Sequence, residues 1–385
     1  MNRRSFLTHT AGTMAGAAFG GSTRAQTQAP VHVTVWRESG RYGGWPANHG
    51  IWSWGDEIVV GFTAGVLKTD DMTRHPIDRS AGERHVLSRS LDGGRTWSFE
   101  EPAALQPPPR PERRAVTGEA LQLPALQTLD APIDFTAPGL ALTFRAANGT
   151  AGAWLFASTD RARTWRGPYA VPAFDTPGLD PRTDYIVLGR HELLVGMTAR
   201  KPDGKEGRPF MMRTRDGGRT WERRGWIGPE TKGYRIMPAT VSLPTSAGAS
   251  ATKGRSLFSV IRRREDQAST LEGYRSDDGG ATWRPTGIVV GDTGRGNPAS
   301  LVRLADGRLC CVYGFRAEPF GIRAVVSADS GVTWSAPTPL REGAADWDLG
   351  YPRSVVRPDG RVVSVYYYND ARSPERYIAA TIWKP

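Results

Sequence analysis

The sequence predicts an all-β fold, a six-bladed β-propeller, from three observations. A turn that ends in tryptophan occurs five times in the 385 residues, and its copies lie 68, 56, 62 and 51 residues apart. The chain between these copies consists of short apolar segments of strand length, separated by many of its 45 glycines and 29 prolines. Helical periodicity is nearly absent. Repeats of roughly this length, built from short strands, are typical of propellers and related arrays.

The repeated turn follows the pattern Ser/Thr-x-Asp-x-Gly-x-Thr-Trp. The first copy is SRSLDGGRTW at 88–97, and the later ones are ASTDRARTW, RTRDGGRTW, YRSDDGGATW and VSADSGVTW, which end at Trp165, Trp221, Trp283 and Trp334. The aspartate can accept backbone N–H groups across the turn, the glycine takes a positive φ, and the tryptophan places a large ring between neighbouring sheets. We therefore interpret the five aspartates as structural. They are Asp92, Asp160, Asp216, Asp278 and Asp329.

The second copy of the turn departs from this pattern, because Arg161 and Ala162 stand where the first, third and fourth copies have two glycines and the fifth has Ser330 and Gly331. A non-glycine residue is disfavoured at positive φ. The sequence therefore predicts a distorted turn in the second unit.

Six units of similar order extend over residues 30–385, which we interpret as one domain. The fifth contains GNPASLVRLADGRLCCVYGFR and the sixth LGYPRSVVRPDGRVVSVYYYN, and the chain ends before a sixth turn. The early strand VHVTVWRE, residues 31–38, is then available to complete the last blade and close the ring. Such closure removes sheet edges that would otherwise be exposed. The proline-rich segment 106–114 is predicted to be a loop between the first and second units.

Residues 1–25 predict a twin-arginine export signal. The string RRSFL at 3–7 precedes a weakly apolar run rich in alanine and glycine, and a small-residue site follows at Ala25. This order of segments is typical of a signal peptide, and the motif RRSFL resembles that of the twin-arginine class. We therefore expect a periplasmic or secreted protein. Later in the chain no run reaches the roughly 20 apolar residues that a membrane span requires, so none is expected.

The charge of the chain favours an anionic small ligand. The net charge is +11, and only six of the 50 basic residues are lysines. Nucleic-acid binding is typical of a basic helix or patch, whereas these arginines are spread through strand-like segments, and their longest run is 262–264. Arginine also binds planar carboxylates through two parallel hydrogen bonds. We therefore expect an anionic carbohydrate as partner and no nucleic acid.

The sequence indicates no disulfide, metal or other cofactor. Cys310 and Cys311 are adjacent in an apolar run, so on a strand they point to opposite faces, and we interpret both as small buried hydrophobic residues. The six histidines lack the spacing of metal ligands such as His-x-x-x-His. A monomer is expected.

One mouth of the predicted propeller is expected to hold the ligand site, because inner strands and the loops beside them converge there. Aligning the last three units on a shared proline places Met237, Asn297 and Tyr351 at one position. His49 in the first unit and Asp184 in the third fall close to it. Arginines recur after the second strand of the units. Either they point to this mouth and make it positive, or they are solvated residues at the ends of strands. They are Arg145, Arg200, Arg262 with its neighbours Arg263 and Arg264, and Arg316.

The five turns resemble the Asp-box, or BNR, repeats of the sialidase superfamily, whose propellers have six blades. The resemblance extends over nearly all of residues 30–385. It implies three arginines that hold the sugar carboxylate, a tyrosine nucleophile supported by a glutamate, and an aspartate as acid/base. A tyrosine suits a substrate whose anomeric carbon bears a carboxylate, because that carboxylate would repel an anionic nucleophile.

Roles are carried over by motif. The segment YRIMP resembles the Arg-Ile-Pro motif of the family, although it lies in the fourth unit here rather than near the first blade. The candidates for the three arginines are Arg235, Arg316 and Arg353. For catalysis they are Tyr351 and then Tyr367 as nucleophile, Asp184 and Asp134 as acid/base, and Glu265 as support of the tyrosine. The further substrate-binding candidates are Asn297, His49, Arg145, Arg200 and Arg262, and Trp45, Trp52, Trp347 and Tyr351 are candidates for stacking on a sugar or for core packing.

The sequence thus favours an exported, sialidase-like exo-glycoside hydrolase for an anionic sugar of the sialic or uronic acid type. Two alternatives stay open. One is a non-catalytic propeller that binds an acidic glycan or a protein. The other is a lyase on uronic-acid polysaccharides, which would release an unsaturated product.

Overall fold

The computed structural model describes residues 29–105, 124–147, 151–203, 207–244 and 255–385. The predicted export signal and the proline-rich loop at 106–114 lie outside these residues. The described part contains 24 strands, one helical turn at Pro46–His49 (α1) and one 3₁₀ turn at Ala103–Leu105. Both helical turns are far shorter than the roughly 20 residues that a bilayer requires, so neither can span a membrane.

Four of the five sheets are small, antiparallel and ordered as in the chain. Each follows the alternation of short apolar strands and Gly-containing turns that the sequence shows. One has three strands, Ala141–Ala146 (β7), Ala153–Ser158 (β8) and Arg166–Val171 (β9). The next has Tyr185–Gly189 (β10), Glu192–Ala199 (β11), Arg208–Thr214 (β12) and Glu222–Trp226 (β13). The third has Tyr234–Ser242 (β14), Leu257–Glu265 (β15), Ala268–Ser276 (β16) and Arg284–Val290 (β17), and the fourth has Ala299–Arg303 (β18), Leu309–Phe315 (β19), Gly321–Ser327 (β20) and Thr338–Glu342 (β21).

The fifth sheet has nine strands and joins the two ends of the described chain. Its early strands are Val31–Trp36 (β1), Arg41–Gly44 (β2), Ile51–Trp54 (β3), Glu57–Leu67 (β4), Ile77–Ser90 (β5) and Ser98–Glu100 (β6), and its late strands are Gly350–Val356 (β22), Val362–Asp370 (β23) and Ser373–Trp383 (β24). Strand β1 pairs antiparallel with β24 from Val31↔Ile382 onward. The prediction that this strand completes the last sheet is confirmed, and the fold is an all-β propeller.

The repeated turns have the structural role that the sequence predicts. In the first copy, Oδ1 of Asp92 accepts hydrogen bonds from the backbone N–H groups of Arg95 (3.0 Å) and Thr96 (2.9 Å). Its Oδ2 accepts the Thr96 hydroxyl at 2.7 Å. Although burial opposes them, these hydrogen bonds lower the pKa of Asp92 to about 2. Both oxygens of this carboxylate therefore accept hydrogen bonds that close the turn.

The prediction of a distorted second turn is wrong. Arg161 and Ala162 both adopt φ of 62°, the left-handed conformation that glycine takes elsewhere. Asp160 accepts the Thr164 N–H at 2.9 Å, as Asp92 does with Thr96. The hydrogen bonds of the turn therefore outweigh the strain of two non-glycine residues at positive φ, which costs about 1–2 kcal/mol per residue.

Tryptophans of the turns pack against neighbouring sheets, as predicted. Trp221 meets Phe144 of the preceding sheet with ring centroids 6.1 Å apart, and Trp334 meets Phe258 at 6.0 Å. Cys310 and Cys311 are buried free thiols on β19, which confirms their interpretation as small core residues. Apolar contacts between successive sheets therefore form the core.

Candidate functional site

Three residues that precede prolines adopt a left-handed backbone and share one buried cluster. Their φ angles are 57° for Trp45, 58° for Met237 and 49° for Tyr351. A residue before proline normally has extended backbone, and strain of this kind is concentrated at functional sites. Met237 and Tyr351 belong to inner strands of two sheets, β14 and β22. This cluster marks the end of the propeller where the candidate site lies.

Asn297 fixes the backbone of Tyr351. Its Oδ1 accepts the N–H groups of Gly314 (3.2 Å) and Tyr351 (3.0 Å), and its Nδ2 donates to the Leu349 carbonyl at 3.0 Å. The side chain is fully buried. All three of these bonds are to main-chain groups of the protein. Asn297 therefore positions the tyrosine rather than facing a ligand.

Arg316, at the end of β19, lies beside two tyrosines. Its Nε donates to the Leu349 carbonyl at 2.9 Å and its Nη2 to the Tyr367 hydroxyl at 2.5 Å. Its Cζ lies 5.3 Å from the centre of the Tyr351 ring. Cation–π attraction over a buried aromatic ring adds to these hydrogen bonds. The guanidinium is thus held rigidly with neutral partners.

Tyr367 on β23 is placed between a base and a cation. Its hydroxyl donates to Oδ1 of Asp348 at 2.6 Å while it accepts the bond from Arg316. Burial raises the pKa of Tyr367 well above its usual range, and Asp348 adds to this shift while Arg316 opposes it. The phenol is therefore neutral at rest. Its proton has a carboxylate within reach.

Asp348 is fully buried and ionised. Burial raises its pKa, but hydrogen bonding with His75 and the charges of Arg376 and Arg316 outweigh that, so the pKa of Asp348 lies below its usual value. His75 Nδ1 lies 2.6 Å from Oδ1, and Arg376 Nε donates to Oδ2 at 3.1 Å. We call Tyr351, Tyr367, Arg262, Arg316 and Asp348 the tyrosine–arginine network.

Arg262 completes this network from β15. Its Nη1 donates to the Tyr351 hydroxyl at 3.2 Å, and its Nη2 donates to the Tyr234 hydroxyl at 2.8 Å. Tyr351 therefore has one guanidinium at its hydroxyl and another over its ring. The two arginines give this end of the fold a local positive charge next to a tyrosine that is 9% exposed.

Aromatic rings surround the network on the solvent side. The His75 ring lies 5.2 Å from Trp45 and 5.4 Å from Trp347, and Arg295 lies 5.1 Å from Trp347. Trp347 and His75 are partly exposed. Aromatic faces beside a few polar groups are typical of small-molecule sites, and these rings supply such faces.

Four other candidates form a second group, the axial arginine cluster, which comprises His49, Arg145, Asp184 and Arg353. Arg145 on β7 donates from Nη1 to Nδ1 of His49, and Arg353 on β22 donates to the Ala47 carbonyl of α1 at 2.8 Å. An arginine can only donate, so the His49 proton is on Nε2, which donates to the Thr63 hydroxyl at 2.9 Å. Burial, followed by the charge of Arg145, lowers the pKa of His49 well below its usual range.

Asp184 links two sheets within this cluster. Its Oδ1 accepts the Thr240 N–H of β14 at 3.1 Å, while Oδ2 has no hydrogen-bond partner among the described residues. Burial raises the pKa of Asp184 to about 6, and the charge of Arg353 acts in the opposite direction. The carboxyl group therefore changes its charge close to neutral pH.

Asp184→Asn is expected to change the pH dependence of stability. The folded state holds a proton on Asp184 up to about pH 6, whereas the unfolded chain loses it near pH 3.8. The wild type therefore loses about 2–3 kcal/mol of unfolding free energy as pH rises from 4 to 7. Asparagine still accepts from Thr240 but does not titrate. Urea unfolding at several pH values should show that the unfolding free energy of the variant rises relative to that of the wild type between pH 4 and 7. A difference that does not change with pH would contradict the raised pKa of Asp184.

The remaining candidates have other partners. Arg235 donates to Glu272 at 2.9 Å, and Glu265 accepts from Thr231 at 2.6 Å and from Arg263. Arg200 forms two hydrogen bonds with Asp180, at 3.0 and 2.8 Å. Asp134 accepts from Arg190 at 3.0 Å and from Thr136. The contacts of these four candidates thus lie outside both groups.

Sequence reasoning missed Asp348, His75 and Arg376. The string DWDLGYP carries a usable signal, because Asp348 precedes Tyr351 by three residues in a short acidic loop. His75 lies in the connection between β4 and β5, and nothing in its local sequence indicates a partner 273 residues away. Among the described residues, no group of three or more His, Cys, Asp or Glu side chains could hold a metal ion.

Comparison with known proteins gives one family and a set of similar folds. Residues 140–363 match the family described as a BNR repeat-like domain. No curated protein matches the chain in sequence. A protein of unknown function from Dyadobacter fermentans is 22% identical, with a TM-score of 0.64 over 92% of this chain and 97% of that one.

Two similar structures are glycan-cleaving enzymes by name. The NanB sialidase of Streptococcus pneumoniae is 12% identical, with a TM-score of 0.58 over 91% of this chain and 70% of that one. An α-L-arabinanase of Penicillium chrysogenum, in complex with arabinobiose, is 12% identical, with a TM-score of 0.57 over 93% and 99%. At these identities the likeness shows a common fold.

Proposed function

This chain belongs to the BNR repeat-like domain family, and from that premise we propose that it is an exo-acting glycoside hydrolase for an anionic sugar. The reaction takes place at the tyrosine–arginine network. The observation that carries the proposal is the position of the Tyr367 hydroxyl, between Asp348 Oδ1 at 2.6 Å and Arg316 Nη2 at 2.5 Å.

The geometry around Tyr367 supports a role as nucleophile. A nucleophile is activated when a base lies within hydrogen-bond reach and a further group orients that base. Asp348 is such a base, and Arg376 orients it. When the Tyr367 oxygen attacks the anomeric carbon, its proton passes to Asp348, while the nearby guanidinium of Arg316 stabilises charge that develops on the phenol oxygen.

The sugar is proposed to be anionic because two arginines flank Tyr351. Arg262 reaches its hydroxyl and Arg316 lies over its ring. A carboxylate bound between them would form charge-assisted hydrogen bonds. A neutral tyrosine tolerates this carboxylate at the reacting carbon better than a carboxylate nucleophile would. Sialic acids carry their carboxylate on the reacting carbon, whereas uronic acids carry it on the ring carbon C5, where the two arginines can still bind it.

Burial of Tyr367 favours one alternative. Its side chain has no exposed surface, whereas the adjacent Tyr351 is 9% exposed. A sugar that stays on Tyr351, Trp347 and the arginines would be bound without being cleaved. The second candidate function is therefore a non-catalytic module that binds an acidic glycan.

Aryl glycosides of sialic and uronic acids test the proposal. We expect the wild type to release the aryl alcohol from one of them, and to lose binding or activity on the neutral glycoside of matched structure. Saturable binding of the acidic sugar without product, measured by calorimetry and chromatography, would favour the binding module. Release of an unsaturated sugar that absorbs in the ultraviolet would indicate a lyase instead.

We propose two further features of the protein. The nine-stranded sheet supplies two of six blades, one made of β2 to β6 and the other of β22 to β24 with β1, and the two are joined through the contact Tyr42↔Arg376. Residues 1–25 direct export to the periplasm or medium, and an amino terminus at Gln26 in protein recovered from bacterial cells would test this.

A further inference from the structure

His75 and the proposed nucleophile share one carboxylate oxygen. Oδ1 of Asp348 lies 2.6 Å from Nδ1 of His75 and accepts the Tyr367 hydroxyl at 2.6 Å. The two partners come from distant parts of the chain, the β4–β5 connection and β23. A hydrogen-bonded path therefore leads from the buried phenol through the carboxylate to the imidazole.

The imidazole is the exposed end of this path. The side chain of His75 is 28% exposed, and that of Asp348 is not exposed at all. Trp45 and Trp347 contact the ring. Arg376 and Arg316 act on Asp348, and Arg376 also pairs with Asp346 at 2.5 Å. Arg79 lies 5.4 Å from the Trp45 ring, and Arg295 lies 5.1 Å from the Trp347 ring. His75 is thus placed to meet both solvent and a bound sugar.

We propose that His75 is the acid/base residue of the hydrolysis, an inference that rests on the proposed function. A carboxylate at Nδ1 keeps the proton there, so that Nε2 is the nitrogen that exchanges protons with the substrate. In the first step the Tyr367 oxygen bonds to the anomeric carbon, and its proton passes to Asp348. The glycosidic C–O bond breaks, and the leaving oxygen takes the proton from Nε2 of His75.

The second step reverses these proton transfers. Water attacks the anomeric carbon and gives one proton to Nε2 of the now neutral His75. The bond between the sugar and Tyr367 breaks, and the phenol oxygen regains its proton from Asp348. The enzyme returns to its starting state, and the sugar is released with its anomeric configuration retained.

His75→Gln, measured on glycosides with different leaving groups, tests this role. We expect the variant to lose about 10²- to 10⁴-fold in kcat on a methyl glycoside, whose alcohol must be protonated as it leaves. On the 4-nitrophenyl glycoside, whose leaving group needs no proton, we expect a loss of at most about tenfold. The matched control is His32→Gln, because His32 bonds to Thr381 on β24 instead.

A measurement that needs no activity separates this inference from the proposed function. Histidine labelled with ¹⁵N reports by NMR which nitrogen of the neutral His75 ring carries the proton. We expect this proton on Nδ1 in the wild type, beside Asp348 Oδ1, and a loss of that preference in Asp348→Ala, which removes the acceptor. An unchanged proton position in Asp348→Ala, or equal losses on both glycosides, would overturn the role of His75. A proton on Nδ1 that depends on Asp348, in a wild type that cleaves none of the glycosides, would leave the His75–Asp348 pair standing but overturn both the hydrolysis and this role in it.

Discussion

Tyr367→Phe is expected to lower kcat by about 10³-fold or more on the best aryl glycoside, because the substitution removes the attacking oxygen. The change deletes one buried hydroxyl and keeps the ring, so the core around it should stay folded. Binding of the sugar should change far less than kcat, since Arg262 keeps its bond to Tyr351, and Arg316 loses its bond to that hydroxyl but keeps the one to the Leu349 carbonyl. Steady-state kinetics and calorimetry with the same sugar check the two effects.

Tyr366→Phe is the matched control for this substitution. Tyr366 is the neighbouring residue on β23, is equally buried, and has its hydroxyl within 2.5 Å of the Thr381 hydroxyl on β24. The control should keep its activity within a few-fold of the wild type. If Tyr367→Phe keeps full activity and Tyr351→Phe is inactive, the nucleophile is Tyr351, and the base assigned to Asp348 has no direct role.

Gly331→Ala is expected to destabilise the protein by about 2 to 5 kcal/mol. Gly331 lies in the fifth repeated turn with φ of 91°, and a Cβ at this position would lie 2.2 Å from the ring of Phe258. The ring belongs to the preceding sheet and contacts Trp334, so it has little freedom to move. Backbone strain and overpacking therefore act together. Urea unfolding measures the change.

Gly307→Ala separates the two causes. Gly307 has nearly the same φ, 90°, but a Cβ there meets nothing within 4 Å. This control should cost only the strain of a left-handed residue, about 1–2 kcal/mol. Equal losses in both variants would show that the turn does not pack tightly against the preceding sheet.

The repeated turn was predictable because its interactions are local. Asp92 accepts hydrogen bonds from residues three and four positions later. A pattern of seven or eight residues therefore contains all the groups that form the turn. The outcome in the second turn was not predictable from residue preference alone. There the hydrogen bonds of Asp160 hold Arg161 and Ala162 at positive φ against their intrinsic preference.

The site was predictable only in part, because its contacts join residues far apart in the chain. Arg262, Arg316, Tyr351 and Tyr367 were found from recurrence and resemblance, and the structure places them in one network. The resemblance grouped Arg353 with Arg316 as a carboxylate-binding arginine, whereas Arg353 donates to the Ala47 carbonyl of α1 in the axial arginine cluster. Asp348 and His75 meet through the fold of two loops, and no repeat pattern encodes that contact.

Trapping of a covalent intermediate would identify the residue that attacks the sugar. Fluorinated sialic and uronic acid probes slow the second step of a retaining glycosidase, so the sugar stays bound to its nucleophile. Trypsin cleavage after Arg353 and Arg361 separates Tyr351 from Tyr367. We expect one added sugar, located by fragmentation on Tyr367 and absent from Tyr367→Phe. An adduct on Tyr351 or on a carboxylate would contradict this expectation.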